Sequence, residues 1–197
     1  MRWLKKIDIN APVTLGMAAL SLLVLGGNAL TGGWLNRFLA VYYTSFLDPL
    51  LYMRLLTHSI AHQDLAHYTG NFLLLLVVGP VVEERYGSRD TLMMIAIASV
   101  VIGLINVVLF SGTMLLGASG IVFMMILLAS FVNIREGKFP LTVVLVFVLY
   151  IGNEIASLSA NDQISQLSHI LGGLCGGIFG LLTHWPKIKN SAGGSQP

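Results

Sequence analysis

"SQLSHILGGLCGGIFGLL", residues 165–182, contains no Asp, Glu, Lys or Arg. A run of this length and polarity reads as a helix crossing a bilayer, which needs about 20 largely apolar residues. Within it His169 is followed by Gly172, Gly176 and Gly180, at offsets of three, seven and eleven, so the imidazole and three glycines share one helical face. That face is nearly flat, and flat glycine faces let transmembrane helices approach closely. Two readings of His169 follow. It is either a packing histidine beside a GxxxG-type seam, or a base brought within about 3 Å of a nucleophile on the facing helix.

The rest of the chain fits that setting. Of its 197 residues 55% are hydrophobic and 10% charged, against roughly 25% charged in an ordinary soluble domain. Six stretches are candidates to span: 12–30, 67–82, 91–110, 117–133, 140–158 and 166–184. An even number puts both ends on one side, and the basic residues name that side. Arg2, Lys5, Lys6, Arg85, Arg89, Arg135, Lys138, Lys187 and Lys189 all fall on one set of connections, leaving only Arg37 and Arg54 on the other. By the positive-inside bias both termini are expected in the cytoplasm. The fold class is thus an all-α membrane bundle of six helices over 12–185, with a cytoplasmic segment 1–11 and a flexible tail 186–197. Span one has an alternative reading as a cleavable signal peptide, because "MRWLKK" precedes an apolar run. The connection 31–66 is long and aromatic, and reads as a loop or short helices lying in the membrane interface. A net charge of +2 gives no reason to expect nucleic acid, and the lone Cys175 offers neither a disulfide nor a metal motif.

Spans two, four and six all start on the outer side, and each carries out-of-place polar residues there. Span four opens with Gly117-Ala118-Ser119-Gly120. Glycines permit tight turning and close approach, and a helix start offers free N–H groups and a positive dipole end suited to an oxyanion. Ser119 is equally readable as a simple helix cap. Span two begins "HYTGNFLLLL", with His67 and Asn71 four apart on one face. They could hold an oxyanion or bond across helices. His58 and His62 are also four apart, but no carboxylate or thiolate at ligand spacing joins them, so no metal is expected.

These residues resemble the rhomboid family of intramembrane serine proteases, over roughly 50–185. The stretches that carry the likeness are "HSIAHQDLAHYTGN", "EERYGS" (Glu83 to Ser88), "GASG" and "SHILGGLCGG", in matching order and spacing. The resemblance implies that Ser119 is a nucleophile and His169 its general base, a dyad without an aspartate. It implies that His67, Asn71 and the Ser119 N–H form the oxyanion hole, with Gly117, Gly120, Phe123, Gly172 and Gly176 in support and Glu83 and Arg85 in structural roles. The chain departs from the family at Phe123, where a tyrosine is common, at Met53-Arg54, where Trp-Arg is common, and at Pro80, where glycine is usual. Loss of the hydroxyl at Phe123 keeps the ring, Met53 weakens interfacial anchoring, and Pro80 adds a kink far from the chemistry.

The function so implied is cleavage of transmembrane protein substrates near their outer ends, in the lipid bilayer, with no metal or cofactor. The minimal chain points to a bacterial plasma membrane. One rival is a catalytically inactive rhomboid-like factor that grips or dislocates membrane clients. Another is a small transporter, disfavoured because spans four to six are almost purely apolar below their outer ends. Oligomeric state, substrate identity and the roles of Glu154 and Asp162 stay open.

Overall fold

The computed structural model describes residues 9–132, 141, 145, 148 and 163–192, with side chains of the last helix described over 166–183. Apart from residues 141, 145 and 148, the expected fifth span, 140–158, lies outside the described residues, as do Glu154 and Asp162.

Seven α-helices run in the order α1 (Pro12–Leu30), α2 (Trp34–Leu39), α3 (Pro49–Thr57), α4 (Leu65–Tyr86), α5 (Ser88–Leu109), α6 (Ser119–Val132) and α7 (Gln163–Ala192) among the described residues. Four of them, α1, α4, α5 and the 166–183 part of α7, are long and apolar enough to cross a membrane. The 22 residues of α4 extend roughly 33 Å at 1.5 Å per residue, about the thickness of a hydrocarbon core. Their outer faces carry Leu23, Leu73, Val77, Val108 and Leu182 exposed. Surfaces of that kind require an apolar solvent, and the protein is a multi-pass integral membrane protein.

Helix α6 is different. Gly120, Ile121, Val122, Met124, Met125, Leu127, Leu128 and Phe131 are all buried, so it is apolar around most of its circumference and runs inside the bundle, packed against α4, α5 and α7. Its 14 described residues fall within the expected 117–133, whereas α4 and α7 extend beyond 67–82 and 166–184. The 31–66 connection contains α2, α3 and a 3-10 turn over His58–Ile60, as short helices rather than open loop.

Local chemistry sets the helix ends. Asp64 caps α4, its carboxylate accepting from the His67 N–H at 2.8 Å, and Asp48 caps α3 ahead of Pro49. Gly87, at φ 85°, lets α4 turn directly into α5. The cap residue of α1, Ala11, has no acceptor to offer. Glu83 of α4 substitutes for it: its carboxylate accepts from the Val13 and Thr14 N–H groups at 2.9 and 3.0 Å and from the Thr14 hydroxyl at 3.0 Å. Gly79, one turn before Glu83, leaves room for Thr14, since a Cβ there would lie 2.6 Å from its side chain. Helix α4 passes through Pro80 without a break in its span.

Candidate active site

The nine residues between α5 and α6 are fastened to the 31–66 connection at three points. Val41 and Leu115 exchange two backbone hydrogen bonds, 3.0 and 2.9 Å. The Gly117 N–H donates to the His58 carbonyl at 2.9 Å, and the Ala118 N–H donates to His62 Nε2 at 3.3 Å. The backbone leading into Ser119 is therefore held by residues that sequence reasoning had considered only as a weak metal pair. Their four-residue spacing misleads because the stretch is not one helix: the 3-10 turn ends at Ile60 and Ala61 is extended. His58 Nε2 instead donates to the Ser99 carbonyl at 3.0 Å. Among the described residues no three His, Cys, Asp or Glu side chains converge as a metal site would require.

Both histidines are held neutral. Burial is the main cause for each, lowering His58 from 6.5 to about 4 against the opposing backbone bond. His62 is also lowered to about 4, by burial and then by the neighbouring His67, whose ring centroid is 5.1 Å away. A neutral His62 is what the Ala118 contact needs, because only an unprotonated Nε2 can accept that N–H.

Gly117 has φ 121°, a region L side chains avoid. A Cβ there would also lie 2.6 and 2.7 Å from His67 Cε1 and Nε2, so the His67 imidazole rests on the Gly117 backbone. Asn71, one turn further along the same face of α4, is buried, and its Nδ2 has no hydrogen-bond partner among the described residues. An unpaired buried donor costs about 1–3 kcal/mol, and a group retained at that cost is a donor in want of an acceptor.

Ser119 is half-buried and is the first residue of α6. The Ala118 carbonyl accepts the first helical bond, from the Val122 N–H at 2.9 Å, which puts the cap position at Ala118 rather than at Ser119. The Ser119 hydroxyl is thus one residue past the place where a capping serine would sit.

On the other side, α7 meets α6 backbone to backbone. A Cβ on Gly120 would lie 2.9 Å from the Ser168 carbonyl oxygen, one on Gly172 would run into the Gly120 carbonyl, and one on Gly176 into that of Met124. The glycine stripe of residues 172, 176 and 180 is the contact face, with Phe131 over Gly180. This close approach sets His169 against the first turns of α6: its ring centroid is 4.4 Å from that of Phe123, tilted by 44°. Phe123 follows Ser119 by four residues and so shares its helical face.

The structure thus brings Gly117, Ser119, Gly120, Phe123, His169, Gly172 and Gly176 together where α6 meets α7, with His67 and Asn71 on the adjoining face of α4. Glu83 sits apart, at the far end of α4, in the structural role of capping α1, while Arg85 beside it is exposed. Chemically the cluster offers a hydroxyl at a helix start, an imidazole over the same helix face and the polar side chains of His67 and Asn71 on α4.

No curated protein matches the chain. The family model for the Rhomboid domain matches residues 50–186, more than half of its length and the whole of the cluster just described. The chain belongs to the rhomboid family.

Proposed function

We propose that the protein is an intramembrane serine endopeptidase that cuts transmembrane protein substrates near the outer face of the membrane. The observation that carries this reading is the His169 ring packed on Phe123, along the face of α6 that Ser119 heads. In the reaction His169 accepts the Ser119 proton as Oγ attacks the scissile carbonyl, then passes it to the leaving amine. The acyl-enzyme is opened by water, deprotonated in turn by His169, and Ser119 is regenerated. The Ser119 N–H, His67 and the unpaired Asn71 Nδ2 stabilise the oxyanion. The placement of Ser119 beyond the cap position adds support, because a cap role does not account for its hydroxyl.

Attack needs an open backbone, so substrates must expose an extended stretch, which Gly, Pro or small residues near the cleaved bond make easier. The basic bias of the sequence supports cytoplasmic termini and a site facing outward.

The test is labelling of detergent-purified protein with a fluorophosphonate, with the adduct mapped by mass spectrometry. Adduct on Ser119 in the wild type, absent in Ser119→Ala and Ser119-linked labelling lost in His169→Ala, is expected. Proteolysis surviving His169→Ala would overturn the dyad. Folded protein that stays unlabelled and inert would favour a non-catalytic factor that binds membrane clients.

A further inference from the structure

A pocket of ≈ 380 Å³ opens beside the loop that leads into Ser119. One wall is Arg37, in the last turn of α2, with Tyr42 and Tyr43; the other is the turn 111–114. The two walls are joined by the Val41–Leu115 backbone pair.

Arg37 gives the pocket a positive charge. Arg37 is exposed, and among the described residues no carboxylate pairs with it. Arg54, buried behind the wall, lies 4.4 Å from the centroid of the Tyr42 ring. It is partly offset by Asp48 at 3.7 Å. Tyr42, Tyr43 and Ser111, whose hydroxyls can donate, line the same opening, while the Thr113 hydroxyl is used on the Phe110 carbonyl at 2.8 Å. A cation with neutral donors around it and no anion of its own selects a carboxylate.

The chain itself limits how far the pocket lies from the chemistry. The five residue steps from Met114 to Ser119 reach at most about 18 Å, the length of roughly five extended residues. We propose that this pocket is a specificity site that receives an acidic side chain of the substrate within five residues of the cleaved bond, with Arg37 as its selecting residue. The proposal rests on the proteolytic reading above and names the kind of substrate that reading leaves open. A lipid phosphate would suit Arg37 alone. The attachment of the pocket wall to the Ser119 loop favours the substrate.

The test uses the full chain in vesicles of neutral phosphatidylcholine, with and without anionic phosphatidylglycerol. A single-span substrate is varied to Asp, Ala or Lys at each of five positions on either side of its cleaved bond. At one position the wild type is expected to cleave the Asp form roughly tenfold faster in kcat/KM than the Lys form. Arg37→Glu should invert that preference at the same position, Arg37→Ala should flatten it and Arg37→Lys should retain it. A charge profile indifferent to Arg37→Glu and Arg37→Ala overturns the proposal while leaving the protease intact. A loss equal for all substrates and seen only with anionic lipid assigns the pocket to a lipid phosphate, and also overturns it. No cleavage of any substrate, with Ser119 unlabelled, removes the protease reading and this proposal with it.

Discussion

Asn71 separates function from stability at a single residue. Its Nδ2 is buried without a partner among the described residues, so under the proposed mechanism truncation removes an unpaired donor in the resting protein but an oxyanion contact in the transition state. Asn71→Ala is expected to lower kcat by about 10²–10³-fold with little change in KM. Its melting temperature in detergent should be unchanged or raised, and a variant that melts early in proportion to its lost activity would make Asn71 a structural residue instead. The pairing of His67 with Asn71 was legible because two polar side chains four apart in an apolar helix must share a face. His58 and His62 were not legible, since their roles depend on a 3-10 turn and on carbonyl and N–H partners 41 and 56 residues away.

Among the elements, the α6–α7 contact is the most sensitive to added volume. Gly172 faces the Gly120 carbonyl directly, whereas Gly177 on the same helix has open space around its Cα. Gly172→Ala is expected to cost about 1–3 kcal/mol by overpacking and to abolish fluorophosphonate labelling by moving His169 off α6. Gly177→Ala should keep both melting temperature and labelling, and equal damage from the two would mean that the stripe matters only for helix flexibility. A second element-scale prediction concerns the start of α1. Glu83→Ala leaves two helix-start N–H groups and a hydroxyl without their acceptor and should cost about 2–4 kcal/mol. Glu83→Gln, keeping one strong acceptor, should fall between. Thermal melts of the three proteins check the order.

At the scale of the whole molecule, the loop that carries Ser119 is held by the His58 carbonyl and the His62 ring, and the burial of both imidazoles couples stability to pH. His58 and His62 sit at about 4 in the folded protein against an ordinary 6.5. Between those values the unfolded chain binds more protons than the folded one, so stability rises with pH. The contribution is full above about 6.5 and is lost as pH falls toward 4, with a slope of up to about 1.4 kcal/mol per pH unit for each histidine. Melting temperatures between pH 6.5 and 5, above the ordinary carboxylate range, should therefore fall steadily. A flat profile there would mean that one or both histidines are charged in the native state.

Composition and spacing were enough to establish a membrane bundle, because lipid leaves helices few other ways to satisfy their backbones. The first span was read at its observed limits, Pro12–Leu30, since Pro at a helix start and the polar turn after Leu30 are local signals. The glycine stripe of α7 was legible for the same reason: a face defined by a period of 3.6 residues is written in one segment. What only the tertiary structure decided are the things made by two distant segments at once. The capping of α1 by Glu83, the pinning of residues 115–118 by Val41, His58 and His62, and the joining of Arg37 to the turn 111–114 all involve partners far apart in the chain. No periodicity records such pairs, because the free energy that selects them comes from burying polar groups against specific partners rather than from any local preference of the backbone.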